Sequence, residues 1–376
     1  MKAYGRGRVQ HFLGDLIVYR NLIPLDRRLP GLPDLRNELG IPTGVTPRKT
    51  SPEYARVIGR ILELAQEMRG VGSQIERLLY IGDTRVNDGT AFINLLAGGG
   101  WNGAAFICEE KIGEEEHREK EGVPAGTILS CNRWAALASF DAFCAKRGIR
   151  IDEQTAVVID IDKTAIGARG RNDHVIDEIR LQAMRRTARE LLGDAFDEQE
   201  FQTDYARLNQ PLYHPFTTDN QDCLAYTCLI LQGGMITSEE LFNALDSGDL
   251  SSFSQFLSLV DEHKKDLAEP FRPMHDRVRS AYLLADPTPF VDFRRNEYKV
   301  TVEHMGRLKD GTPAEQLLQE EIVITREVME YALRSRRAGA LVFGLSDKPD
   351  EASIPSERID NYMSLHATET HIVGGG

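Results

Sequence analysis

Long apolar runs are missing from this chain. No stretch approaches the roughly 20 residues that a membrane span requires, and residues 1–6, Met1-Lys2-Ala3-Tyr4-Gly5-Arg6, lead into no signal-type apolar core. Cysteine is scarce and badly spaced for chemistry. The five residues Cys108, Cys131, Cys144, Cys223 and Cys228 form no CxxC pair and no Cys/His ligand pattern, which argues against a zinc site or a disulfide framework. They read as buried or idle thiols of a reducing compartment. Positive charge is also short, with 45 Lys and Arg against 58 Asp and Glu and a net charge of −13. A nucleic-acid partner needs clustered basic residues, so this balance argues against one. Internal repeats and low-complexity tracts are absent as well. What remains is a soluble, cytoplasmic, globular chain without a membrane or nucleic-acid partner, and an oligomer is compatible with it. At 376 residues it exceeds one ordinary core, so two domains are expected.

The texture of the chain changes twice along its length. Residues 12–19 have strand character, and Pro24, Pro30, Pro33 and Pro42 then interrupt any long element. Ser51-Pro52 is a helix start signal, followed by Val57, Ile58, Ile61, Leu62 and Ala65 at helical spacing. The bounded apolar runs at 78–81, 104–107 and 156–159 predict buried strands, with a helix from about Asp88 to Gly98 between the first two. Residues 109–121 are mostly Glu, Lys and Arg and read as a solvated connector, ahead of a helix over 134–146. From 166 to 330 the pattern turns helical, including a capping box at Thr237 and Glu240. Helix and strand alternate again at 326–336 and 340–345. Strand, helix and strand in succession predict an α/β fold with a Rossmann-like parallel sheet. Its core comprises residues 1–165 plus 331–376, and 166–330 form a large, mostly helical insert.

The chemistry sits at the ends of the apolar runs. Asp-Ile-Asp-Lys-Thr follows one at 160–164, Gly-Asp-Thr-Arg-Val-Asn-Asp follows another at 82–88, and Ser-Asp-Lys-Pro follows a third at 346–349. Ligands of open parallel sheets bind at the carboxyl ends of the strands. If these three strands are neighbours, Asp160, Asp83 and Ser346 meet at one edge. Massed carboxylates repel unless a cation sits among them, and Mg²⁺ matches hard oxygen ligands and phosphate. Asp160 and Asp162 are two residues apart, so both border one pocket where the backbone turns. One carboxylate can attack phosphorus while the other, held partly protonated by its neighbour, serves as acid and then base. The Ser346 hydroxyl and the turn's N–H groups suit a phosphoryl oxygen. Lys49, just before a helix, suits phosphate charge. Each feature also has a plainer reading: Asp83 and Asp88 as a helix-capping turn, Ser346 as a capped turn before a helix at Glu351, and Lys49 as an exposed lysine.

These motifs resemble those of the haloacid dehalogenase-like phosphatases. The family's DxDxT is matched by Asp160, Asp162 and Thr164, its Ser/Thr by Ser346, its Lys by Lys49, and its GDx4D by Asp83 and Asp88. The order differs, because the acidic motif that closes the family pattern comes about 75 residues before the one that opens it. Read from residue 128 to the C-terminus and then from residue 1, the order becomes the family's, so the chain resembles a circular permutation. The acidic run at 109–121 then joins the fold's former ends. The strand third in the motif series has two candidates, 371–374 and 16–19. Residues 166–330 fall where the family's helical cap of the C1 type lies.

The resemblance implies a phosphoric monoester hydrolase that uses Mg²⁺. Asp160 forms an aspartyl-phosphate, and Asp162 protonates the leaving oxygen and then activates water. Thr164, Ser346 and either Lys49 or Lys348 hold the phosphate, and Asp160, Asp162, Asp83 and Asp88 serve the metal. A large cap that closes over the site implies a small phosphorylated metabolite as substrate. Arg169, Arg171, Asn172 and Arg294 are candidates for its polar groups, each with a charged surface as the plainer reading. A phosphotransferase or phosphomutase on the same fold shares the nucleophile. A non-enzymatic phospho-ligand sensor is the alternative from a different class, against which the complete acid set argues.

Overall fold

A computed structural model describes residues 1–123, 126–218, 220–356 and 363–375. Its strands are β1 (Lys2–Gly7), β2 (Ile17–Val18), β3 (Arg77–Gly82), β4 (Asn102–Cys108), β5 (His117–Val123), β6 (Gly126–Cys131), β7 (Thr155–Asp160), β8 (Ile324–Thr325), β9 (Leu341–Leu345) and β10 (Thr370–Gly374). Seven of them form one sheet in the order β2-β9-β7-β3-β4-β6-β5. It is parallel throughout except where β5 runs against β6. The other three form a small sheet, β1-β10-β8. The α/β class with a mostly parallel sheet is the one the alternating pattern predicted.

The central strands are continuous apolar runs because both faces of the sheet are covered. Every residue of β7 and of β9 is buried. On one face, helices Pro52–Met68 and Asn87–Gly99 bring Ile58, Ile61, Leu62 and Phe92 into a core with Tyr80, Val158 and Phe343. The first helix starts as its sequence predicts, with the Tyr54 N–H donating to Ser51 Oγ at 3.2 Å and Pro52 opening the first turn. The second ends at Gly100, whose φ of 64° is the left-handed conformation of a helix C-terminus. Strand side chains alternate between faces, so Phe106 points away from this core. It packs instead with Trp134 and Phe140, and Phe140 with Tyr331 of helix Arg326–Arg337.

The chain forms two compact units. One comprises Met1–Glu178 with Thr301–Gly376, and the other is Ile179–Val300. The second unit is helical, as expected, but shorter than 166–330. Residues 166–178 and 301–330 belong to the unit of the two sheets, where Ile166 bridges to Ile324 and β8 pairs with β10. Within the helical unit, Thr237 and Glu240 form the expected capping box. Phe216, Tyr226, Phe253 and Phe256 pack as edge-on or tilted aromatic rings. Among the described residues, no helix is long and apolar enough to cross a membrane. All five cysteines are buried free thiols.

Several local expectations change. Part of the charge run at 109–121 is the edge strand β5, with Glu119 paired to Arg147 at 2.5 Å. An edge strand hydrogen-bonds on one side only, and charge there blocks further pairing, so it carries no apolar signature. Residues 12–19 are mostly not strand: helix Gln10–Leu13 runs to Gly14, and only Ile17–Val18 pairs with β9. The helix expected over 134–146 is a 3₁₀ segment, Trp134–Ser139, followed by α-helix Phe140–Ala145. Of the two candidates for the third strand of the motif series, Ile17–Val18 lies beside β9, whereas Thr370–Gly374 belongs to the small sheet.

Arg294 is a correction with a physical cause. It is 3% exposed, and its guanidinium donates to Asp222 Oδ2 and Glu297 Oε2, each at 2.6 Å. Its charge is consumed inside the helical unit. Breaking such a pair leaves carboxylates uncompensated and costs about 3–5 kcal/mol. Arg294→Ala is therefore expected to lower the stability read by urea denaturation by about that amount. Unchanged stability with lost activity would restore it as a substrate residue.

Candidate active site

Strands β9, β7 and β3 are neighbours in the sheet. Their registers align Asp160 with Leu345 and Ile159 with Ile81. The residues that follow or end these strands, Ser346, Asp160 and Asp83, therefore emerge side by side at the carboxyl edge. Carboxylate oxygens of Asp83, Asp88 and Asp160 all lie within 4.8 Å of one another. Asp162 is not among those three, although its charge acts on Asp160.

Buried beside these acids is Lys49. Its Nζ lies 2.6 Å from Asp160 Oδ1 and 2.5 Å from Asp88 Oδ1, above the ring of Tyr80. The plainer reading of Lys49 as an exposed lysine does not hold, because Lys49 is 4% exposed. Burial alone would drive its proton off, but Asp160 and Asp88 outweigh that and hold it well above the usual lysine range. Lys348 is also buried, and its backbone N–H donates to Ser346 Oγ at 3.1 Å. Lys49 thus bridges two of the three clustered carboxylates.

Asp88 combines both readings of the acidic motif. Its Oδ2 accepts the N–H groups of Asp83 and Thr84 at 3.0 and 2.9 Å and the Thr84 hydroxyl at 3.2 Å. Its Oδ1 accepts the Tyr80 hydroxyl at 3.2 Å. It folds the turn after β3 and still contributes an oxygen to the cluster. Gly82 is needed for this, because a Cβ there would lie 2.5 Å from Asp88 Cγ. Tyr80 and Thr84 are site residues that sequence reasoning missed. Thr84 stood inside the motif, whereas Tyr80 looked like another core aromatic.

Asp160 presents its two oxygens differently. Oδ1 accepts from Lys49, while Oδ2 is buried without a hydrogen-bond partner among the described residues. Ser346 donates its N–H to Val18 O at 3.0 Å and accepts at Oγ from Lys348, which leaves its hydroxyl proton uncommitted in these bonds. Thr164 is fully enclosed, with a hydroxyl unpartnered among the described residues and a carbonyl that accepts from Thr325 Oγ1 at 2.6 Å. The turn between Asp162 and Thr164 is strained at Lys163, whose φ is 65°.

The polar run at 169–172 divides between site and frame. Arg169 Nε donates to Asp83 Oδ2 at 2.5 Å. Arg171 does not serve the cluster in this arrangement: it is clamped between Glu110 at 2.8 Å and Glu327 at 3.0 Å. Asn172 is fully buried, donating to the carbonyls of Leu318 and Glu321 and accepting from the Val323 N–H. Both were expected near substrate, and both instead tie the segment to its surroundings, because buried polar groups must find partners.

A divalent cation suits the donor set. Its ligands would be hard oxygens, three carboxylates converge, and Asp160 Oδ2 is an orphaned buried acceptor. No family model, curated protein or solved structure matches the chain.

Burial, with the neighbouring charges of Asp160 and Asp88, pushes the Asp83 carboxyl up to about 9. Burial also pushes Asp160 up to about 7, against the pull of Lys49. Both groups keep protons in the folded chain that the unfolded chain releases near 3.8. Their contribution to stability is complete below that pH and is lost as pH rises through about 7 and about 9. With metal chelated, the thermal midpoint should therefore fall between pH 6 and 9, and fall less for Asp83→Asn. Parallel profiles for the two proteins would contradict this electrostatic account.

Proposed function

We propose that this chain is a Mg²⁺-dependent phosphatase that hydrolyses a small organic phosphomonoester through an aspartyl-phosphate on Asp160. The observation that carries the reading is the state of Asp160. It ends a central strand, Lys49 holds its Oδ1 at 2.6 Å, and its Oδ2 is buried and unpartnered among the described residues. Lys49 thereby orients the carboxylate and leaves one oxygen to act as nucleophile. Asp83 and Ser346 flank it from the neighbouring strands.

In this mechanism Asp160 Oδ2 attacks phosphorus as the P–O bond to the leaving group breaks. The departing oxygen takes a proton from Asp162, and an aspartyl-phosphate remains. Asp162, now ionised, removes a proton from water. The water oxygen attacks phosphorus, and the Asp160 carboxylate and inorganic phosphate are released. The Ser346 hydroxyl and the turn's N–H groups hold phosphoryl oxygens, and Lys49 offsets the negative charge gathered at Asp160 and Asp88. Mg²⁺, held by Asp160 and Asp83 with Asp88 and Asp162 nearby, would neutralise phosphoryl charge.

The same reading makes the core a permuted haloacid dehalogenase-like fold. Its support is that three motifs far apart in sequence end adjacent strands, and that the helical unit is inserted between Asp160 and Ser346. The small-substrate reading follows from that insertion. A screen of phosphorylated metabolites for phosphate release would identify the substrate.

Asp160→Asn is expected to lower Mg²⁺-dependent turnover of a generic aryl phosphate by a factor on the order of a thousand or more. It should leave the circular dichroism spectrum unchanged, because the Asn side-chain oxygen can still accept from Lys49 and Asp88 still neutralises that ammonium. Intact turnover in this variant would refute Asp160 as nucleophile.

A further inference from the structure

The two cations at the carboxylate cluster are held differently. Lys49 has a side chain only 5% exposed and bridges Asp88 and Asp160, each of which is also enclosed. Among the described residues Arg169 pairs with Asp83, while Asp173 and Glu109 act on it at longer range, and its side chain is 31% exposed. Lys49 is part of the interior. Arg169 has a route to solvent.

The backbone that presents Arg169 is fixed on every side. The Arg169 N–H donates to Lys163 O at 2.8 Å, and its carbonyl accepts from the Glu110 N–H at 3.1 Å and from Trp134 Nε1 at 3.2 Å. Gly170 follows with a φ of 75°, and a Cβ there would meet Glu110 O at 1.9 Å. Arg171 and Asn172 are locked by the clamps described above. The Arg169 side chain thus extends, partly exposed, from a fixed anchor. Its Nε–Asp83 contact is the one hydrogen bond the guanidinium makes among the described residues. Both terminal NH₂ groups remain a fork for an anion.

We propose that Arg169 is a tethered cation that competes with the divalent metal for Asp83. It donates to Asp83 Oδ2 while metal is absent, gives up that oxygen when metal binds and the Asp83 side chain ionises, and then offers its fork to the anionic group of the substrate. Tethering gives the side chain a high effective concentration at Asp83. Metal must displace it, so the two cations oppose each other, and by linkage the opposition is reciprocal. Arg169 is thus a positioning residue for the metal site before it is a substrate contact. This inference rests on the metal reading of the cluster.

The test is Mg²⁺ binding to the full chain by calorimetry, with no substrate present. Arg169→Met should bind Mg²⁺ about two- to fivefold more tightly than the native chain, the range for loss of one partly exposed charged contact. Arg169→Lys should lie between them. A residue with a merely structural role would weaken binding or leave it unchanged when replaced, and either result would overturn the proposal. A second measurement needs no altered side chain at the site. The Arg169 Nε–H resonance of the nitrogen-labelled native chain, assigned by its absence from Arg169→Lys, should exchange slowly without metal and shift or broaden on Mg²⁺ saturation. An unmoved resonance at saturation would also overturn it. A native chain that binds no Mg²⁺ would overturn the phosphatase reading itself, and this inference with it. Tight native binding with no gain in Arg169→Met would overturn the inference alone.

Discussion

The contact on which the site depends is the buried ammonium of Lys49 between Asp88 and Asp160. It joins three parts of the chain: the segment before helix Pro52–Met68, the helix after β3, and the end of β7. Carboxylates collected at a sheet edge are costly without counter-charge. Lys49 makes the collection tolerable, and it does so asymmetrically. It takes one oxygen of Asp160 and leaves the other without a partner among the described residues. A pair satisfied on both oxygens would be inert. Under the proposed function, this half-satisfied carboxylate is the source of reactivity.

Around that contact the structure separates frame from function within a few residues. In the stretch Ala168-Arg169-Gly170-Arg171-Asn172, Arg171 is fixed by Glu110 and Glu327, and Glu327 also accepts the Gly375 N–H at 2.9 Å. Asn172 ties down the chain near 318–323. These bonds hold a loop in which Arg169, bonded to Asp83, is the partly exposed side chain.

Much of the core was legible because its strands are bounded apolar runs ending in acids or serine. The runs that became β3, β7 and β9 could be read directly, and so could the starts of helices at Ser51 and Thr237, where a hydroxyl at a cap announces the turn. What escaped lacks a local signal. Strand β5 is charged because it is an edge, and β2 is two residues long, recognisable only once β9 lies beside it. Lys49 was favoured over its plainer reading through the family resemblance alone, because 111 positions separate it from Asp160 and no local pattern distinguishes it from a surface lysine. Arg171, Asn172 and Arg294 failed in the opposite direction: a polar residue destined for a buried network looks the same in sequence as one destined for a ligand. Tyr80 was hidden as a core aromatic, although its hydroxyl reaches Asp88.

The central claim is chemical: Asp160 carries the phosphoryl group during turnover. Rapid acid quenching of the native chain with Mg²⁺ and a turned-over phosphate ester, followed by borohydride reduction and peptide mass spectrometry, tests it most directly. An aspartyl-phosphate is reduced to homoserine, whereas a free carboxylate is not. The account predicts homoserine at position 160 and nowhere else among the acids of the cluster. A covalent phosphate on another residue, or substrate turnover with position 160 unmodified at every quench time, would contradict it.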